Sequence, residues 1–300
     1  MIALLLSSVV MLSVVIVFVN TQKHTQENQA LQRLQENGRY ALRTLSYAWT
    51  MAGFLGGIDD PSQVDRNGTD IDPDCATGGA DWALDLTAPL FGFTNNATNP
   101  AGWSCLTGST VAANNDIVEI RYVSPSDAGS LSSGNTYLRA NGRSGTLFQG
   151  TTQPATPVGT AELWRFHARL FYIRNFGFTA GDGIPSLCEK HIASGSTQIA
   201  ERCLASGVER MHFEFDIDND GDFEAEYRST NPSAAELSQA VRVHIYLLMR
   251  SQRTLPQHTS DTEFQLGSLN INAANDNFMR QVYSTSVVLR NSPAMRMKPL

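Results

Sequence analysis

The sequence predicts an α+β protein in which one long N-terminal helix packs by its second half on an antiparallel β-sheet, with long disulfide-clipped loops around it. Three observations carry this. A chargeless apolar run opens the chain and passes without a break into an amphipathic helical stretch; five later segments alternate as strands do; and the four cysteines fall as two sequence-local pairs in loop-like regions. At 300 residues, with 42% hydrophobic and 17% charged residues, the chain is long enough to bury a core and too apolar to be a disordered one. A formal net charge of −7 argues against the broad cationic surface that neutralises phosphates, so nucleic acid is not an expected partner.

Met1 to Val19, MIALLLSSVVMLSVVIVFV, holds no charge, proline or glycine, and its length matches the ~20 residues with which a helix crosses the ~30 Å hydrocarbon layer. Residues 1–20 therefore read as a membrane-spanning anchor. A cleaved signal has a basic start, a shorter apolar stretch and a small-residue cleavage site, none of which is visible here. Residues 21–54 keep helical character. Leu31, Leu34, Ala41, Leu42, Leu45, Ala48 and Ala52 recur at three- and four-residue spacing, with Gln32, Arg33, Gln35, Glu36, Arg39 and Arg43 between them, which makes one apolar stripe on a long helix. Such a helix would be on the order of 80 Å long. Apolar packing is expected of Leu4, Leu5, Val9, Leu12, Val15 and Phe18 in the anchor and of Leu31, Leu34, Leu42 and Leu45 against the head. Gly38 is a weak point costing up to ~1 kcal/mol relative to Ala, and Gly56, Gly57 and Pro61 supply the stop. Residues 55–300 are left for a globular head.

From Gly53 to about Asn115 the composition is that of loops, rich in Gly, Asn, Asp, Thr and Pro. Trp82, Leu84, Leu86, Leu90, Phe91, Phe93 and Trp103 lie within it, so these loops are expected to fold against the core. Cys75, Cys105, Cys188 and Cys203 show no CxxC spacing and no companion histidines, which favours disulfides over metal in an exported chain. Pairing neighbours gives Cys75–Cys105 and Cys188–Cys203, one of the three connectivities that four cysteines allow. Alternation and β-branched or aromatic content mark strands at Asp116 to Val123, Glu162 to Ile173, Val208 to Ile217, Val241 to Met249 and Gln281 to Leu289. Only short helices, Ser233 to Gln239 and Ala273 to Arg280, are expected between them, so the sheet should be antiparallel.

Phe215 to Tyr227, FDIDNDGDFEAEY, is the most chemically pointed segment. Asp216, Asp218 and Asp220 alternate, Gly221 follows, and Asp222 and Glu224 complete an oxygen-rich array of the kind hard cations such as Ca2+ prefer. The first half matches an EF-hand loop. The second half does not, since Tyr227 stands where a bidentate Glu is needed and Glu226 comes one residue early. Two alternatives stay open: a calcium-stapled turn after the strand, or a solvated Asp/Asn/Gly hairpin. No GxSxG, HExxH, P-loop or helix-leading GxGxxG is present, and His24, His167, His191, His212, His244 and His258 are scattered. The sequence thus points to a structural rather than an enzymatic role.

An apolar helix running into an amphipathic one is how type IV pilins and type II secretion pseudopilins begin. LQRLQENGRYALRTLSYAWTMAGF, Leu31 to Phe54, resembles the stretch that PilW-type minor pilins carry after their anchor, with LQENGRYAL at Leu34 to Leu42 and MAGF at Met51 to Phe54. VYSTSVVLRNS, Val282 to Ser292, resembles their closing strand, and the acidic turn resembles one they often carry at this place. The resemblance implies a type IV pilin-like fold and a minor pilin of a tip or priming complex in pilus assembly. It further implies other minor pilins, the major pilin and a tip adhesin as partners. A single-pass inner-membrane anchor with a periplasmic head, carried to the pilus tip on assembly, follows from the same resemblance. Type IV prepilins place a leader ending in Gly and a Phe-Thr-Leu-x-Glu sequence ahead of a stretch like MIALLL, which here begins at Met1; the expectation is that Met1 is an internal methionine, the alternative being a protein that lacks the peptidase site and the filament-registering glutamate. The alternatives are a type II secretion minor pseudopilin and a membrane-tethered, calcium-dependent binding module or adhesin.

Overall fold

The computed structural model describes residues 2–71, 75, 82–87, 89–95, 103–106, 110–125, 131–196, 198–256 and 258–296, without the side chains of 2–6, 8–10 and 296. Helix α1 (Ile2–Met51) is followed by β1 (Val64–Asp65), β2 (Phe91–Thr94), β3 (Ile117–Pro125), β4 (Thr136–Ala140), β5 (Gly145–Gln149), β6 (Glu162–Arg174) and β7 (Ser186–Ile192). Then come β8 (Ile199–Ser206), β9 (Val208–Ile217), β10 (Tyr227–Ser229), α2 (Ala234–Ser238), β11 (Ala240–Arg250), β12 (Phe264–Leu266), β13 (Leu269–Ile271), β14 (Arg280–Val288) and α3 (Pro293–Arg296).

The expected α+β class does not hold. The chain is mostly β, 36% strand against 20% helix, with a sheet forming a half-barrel and one N-terminal helix, and the type IV pilin-like description falls with that class. The reason lies in the stretches between the five alternating segments. Read as turns, they pair instead: β4 with β5 and β6, and β7 with β6 and β8. Their inward positions are often polar, as with the buried Thr136, Thr146, Ser186 and Glu189, which hides the alternation. Glu189 is stabilised there by Arg169, 2.5 Å away, and by Arg202.

Two larger sheets make the body. One runs β1-β5-β4-β6-β3-β2, with β7 and β8 joined on through β6; the other runs β10-β9-β11-β14, and β12 and β13 form a separate hairpin. Every pairing is antiparallel except β1 with β5. The expected helix at Ala273 to Arg280 is absent. Its backbone is drawn into loop contacts instead, with Leu255 and Ser260 N–H groups donating to Asn277 O and Asp276 O, and Asn275 stands at φ 52°.

The second half of α1 supplies one wall of the main core. Leu34, Ala41, Leu45, Ala48, Trp49 and Ala52 are buried with Phe91, Val118, Ile120 and Phe171 of one sheet and Phe213, Phe215, Val243, Ile245 and Leu247 of the other. Trp49 stands at the join, its ring 5.5 Å from Phe91, 5.8 Å from Phe213 and 5.6 Å from Phe215. Leu42 is half-buried against this core, whereas Leu31 is 36% exposed. The helix ends where Gly53, at φ 81°, donates its N–H to Arg121 O, and Phe54 O accepts from Val123 N–H. The opposite face of the larger sheet carries a second core of Leu138, Leu147, Leu170 and Tyr172 under Leu55, Ile58, Trp82, Leu84 and Leu106 from the Gly-rich segment. Disulfides join Cys75 to Cys105 there and Cys188 to Cys203 across β7 and β8.

Leu12, Val15 and Phe18 are exposed on α1 at 62%, 52% and 61%; the side chains of Leu4, Leu5 and Val9 lie outside the described residues. The single-pass inner-membrane placement, with its periplasmic head, is corrected by this structure: among the described residues no helix is long and apolar enough to cross a membrane.

Candidate metal centre at the acidic turn

Strand β9 delivers alternate residues to opposite faces of its sheet. Met211, Phe213, Phe215 and Ile217 enter the main core, so His212, Glu214 and Asp216 occupy the other face, and there each acquires a partner. His212 Nδ1 lies 2.9 Å from Asp116 Oδ2. Glu214 Oε1 accepts from the Ser268 N–H and Oγ at 2.6 and 2.7 Å. Asp216 accepts from Arg228 Nε at 2.7 Å and sits 2.8 Å from His244 Nε2, with Arg242 at 3.4 Å. Burial alone would raise the Asp216 carboxyl, but the bonds to His244 and Arg228 outweigh it and hold the pKa below the usual value.

Beyond Ile217 the chain turns around one side chain. Asp218 is buried, and its two carboxylate oxygens accept the N–H groups of Gly221 at 2.6 Å and Phe223 at 2.8 Å. Gly221 and Phe223 both take positive φ, 85° and 71°, the left-handed backbone that brings the loop back toward β10. Asp220 and Asp222 each accept an N–H two residues on, from Asp222 and Glu224, and Glu226 Oε2 accepts from Asn219 N–H at 2.7 Å.

The folded turn gathers Asp218, Asp220, Asp222 and Glu226, whose ligand oxygens all lie within 4.8 Å of one another. A cluster of this kind can hold a metal ion. Its composition is shifted from the five residues singled out in the sequence: Asp218, Asp220 and Asp222 are in it, while Asp216 and Glu224 are not. Asp216 is the last residue of β9 on its face and is drawn to Arg228 and His244. Glu224 is replaced by Glu226, two residues on, and the signal for that substitution was the Glu one place short of the EF-hand position. Among the described residues no Arg or Lys pairs with the four carboxylates. Like charges at this spacing repel by about 1 kcal/mol per pair even at the dielectric of water, and a hard divalent cation removes that repulsion.

A family model described as PilW: Type IV Pilus-assembly protein W matches residues 170–291. The matched stretch begins late in β6 and takes in the acidic turn, the whole of the β10-β9-β11-β14 sheet and the closing strand; it leaves out α1 and most of the larger sheet. The match supports involvement in type IV pilus assembly. Over this stretch, less than half of its length, the chain is similar to PilW-type pilus assembly proteins. That family is one of pilus assembly and not of known enzymes. No curated protein and no solved structure matches the chain.

Proposed function

We propose that this chain is a minor pilin, a structural subunit of the tip or priming complex that initiates a type IV pilus. Its partners in that complex are other minor pilins, the major pilin and a tip adhesin. The match of residues 170–291 to the PilW family carries this reading, and the PilW-like helix motif from Leu31 to Phe54, outside the match, supports it. Leu12, Val15 and Phe18 stand exposed along α1, and they supply the apolar surface on which helices of neighbouring subunits pack. The head contributes shape and contacts rather than chemistry.

The test is deletion of the gene and complementation by the full chain or by Leu12→Lys. Wild-type chain restores pili counted by electron microscopy and co-purifies with the other minor pilins; Leu12→Lys restores neither. Normal piliation in the deletion strain, or with Leu12→Lys, overturns the reading.

One observation favours an additional property. Four carboxylates converge on one point of the turn, and Ca2+ bound there through Asp218, Asp220, Asp222 and Glu226 fixes the β9–β10 connection. Isothermal titration with Ca2+ would give one site in the full chain and none in Asp218→Asn/Asp222→Asn; absence of heat from the wild type removes Ca2+ from the account.

A further inference from the structure

A sheet edge exposes peptide N–H and C=O groups that only another extended chain can pair in full, and proteins guard such edges with short strands, charges or cover. Most free edges here are guarded. Strand β10 has three residues, β2 four and β1 two, and β8 carries Glu201 and Arg202. Strand β14 is different. It is nine residues long, RQVYSTSVV, about 30 Å of extended chain. Its register against β11 runs unbroken from Arg242↔Val288 to Arg250↔Arg280, without a bulge. After Arg280 it carries no charge, no proline and no glycine, and its β-branched and aromatic residues favour extended structure.

The direction of its free peptide groups follows from the hydrogen bonds at its two ends. Ser251 N–H donates to Met279 O beyond one end, and Leu289 N–H to Val241 O beyond the other. Bonding in an antiparallel ladder repeats every second residue, so the odd-numbered residues from Met279 to Leu289 face β11. Val282, Ser284 and Ser286 therefore turn both N–H and C=O to the open edge, and Val288 turns its N–H there. Val288 O is occupied by Arg290 N–H at 3.1 Å. Among the described residues no group bonds to the others. Helix α1 lies on the inner face of this strand, where Gly38 meets the Tyr283 ring, while Ser284, Ser286 and Val288 are exposed on the outer face.

We propose that β14 pairs edge to edge, antiparallel, with β14 of a second copy of this chain, about a two-fold axis through Ser284. The segment is self-complementary in that register. Ser284 faces its own copy, Val282 faces Ser286, and Tyr283 faces Thr285, an aromatic against a β-branched residue on the inner side. Arg280 lies opposite Val288, so no like charges meet. A register centred on Thr285 instead sets Arg280 against Arg290 and is disfavoured for that reason. The two four-stranded sheets then become one continuous eight-stranded sheet, and all the outward-facing groups of Val282, Ser284 and Ser286 are paired.

The test uses the full chain, whose four cysteines are all in disulfides, so a new thiol stands alone. Ser284→Cys sets two thiols opposite each other across the axis, within disulfide reach, whereas Ser286→Cys faces Val282. Under mild oxidation Ser284→Cys gives a covalent dimer at least tenfold faster than Ser286→Cys, and light scattering shows a concentration-dependent dimer for the parent chain. Ser284→Pro removes an N–H that the fold does not use and abolishes the dimer; an unchanged far-UV circular dichroism spectrum separates this loss from unfolding. A parent chain that stays monomeric at every concentration overturns the proposal, as do equal cross-linking of the two cysteine variants and a dimer that survives Ser284→Pro. Monomeric chain whose β14 amides become protected from exchange only with another assembly protein also overturns it, and assigns the edge to that protein instead.

Discussion

Trp49→Ala is the perturbation that asks most directly whether the two sheets and the helix share one core. Trp49 is fully buried and touches aromatic rings of both sheets, Phe91 on one and Phe213 and Phe215 on the other. Truncating a buried aromatic side chain to Ala costs about 3–5 kcal/mol. Aromatic pairs contribute a further ~0.5–1.5 kcal/mol each beyond their buried area, which puts this site at the upper end. Against a typical total of about 5–15 kcal/mol, such a loss is a large fraction of the fold's stability. Trp49→Phe separates ring packing from the indole nitrogen. Among the described residues the buried Nε1–H has no partner, an arrangement that costs about 1–3 kcal/mol, so Phe loses some volume but removes that donor and should cost less than about 1.5 kcal/mol. The assay is urea unfolding of the full chain followed by far-UV circular dichroism, with the slope compared among variants to confirm that the same surface is exposed. A Trp49→Ala midpoint within about 1 kcal/mol of wild type, or equal costs for Ala and Phe, would refute the shared core.

Stability should fall on acidification through His167. Burial, reinforced by Arg165, Arg169 and Arg202, lowers its pKa from 6.5 to about 3, so the unfolded chain binds a proton in the interval between these values that the folded chain refuses. The contribution is complete above pH 6.5 and declines as pH drops toward 3, by about 2 kcal/mol at pH 5; His167→Gln should flatten this part of the pH–stability curve, and an unaltered slope contradicts it. Ca2+ at a hundredfold excess over its Kd should stabilise the wild-type chain by about 2.7 kcal/mol and leave Asp218→Asn/Asp222→Asn unmoved, measured as a melting shift reversed by a chelator. Replacing Cys188 and Cys203, 15 residues apart, by Ala should cost about 3 kcal/mol in chemical unfolding; a change below 1 kcal/mol would mean that strand pairing alone fixes β7 on β8.

Much of the helix and part of the sheet were legible because period and burial coincide there. The three- and four-residue spacing of Leu34, Ala41, Leu45, Ala48 and Ala52 becomes one buried stripe, and the alternation of VERMHFEFDI becomes a strand with Met211, Phe213, Phe215 and Ile217 inward. The class was not legible, because strands such as TYLRA, GTLFQ and IAERCLAS are short, partly polar on their buried faces, and ordered by partners distant in sequence. The acidic turn shows the same limit on a smaller scale. Its carboxylate density was plain, but the exchange of Glu224 for Glu226 and the withdrawal of Asp216 depend on where the β9 ladder ends and on Arg228 and His244, which no local spacing encodes. Gly38 looked like a tolerated weakness in a helix; a Cβ there would stand 2.8 Å from the Tyr283 ring, so its smallness serves the contact between α1 and β14.

The way α1 leaves the head also sets how the molecule carries load. Along most of its buried length the helix touches the sheets through side chains, with Asn37 reaching Ser206 O as a lateral tether. Among the described residues, backbone-to-backbone bonds tie the chain to a strand just past the helix end, where Gly53 and Phe54 are laced to Arg121 and Val123 of β3, and Asn291 Nδ2 donates to Thr50 O beside them. A pull directed along the helix away from the head therefore loads the side-chain contacts around Trp49 and the bonds to β3 together. Because the two act side by side on one stiff helix, strain reaches β3 of the larger sheet while the core around Trp49 is still closed, so helix and sheet share the load.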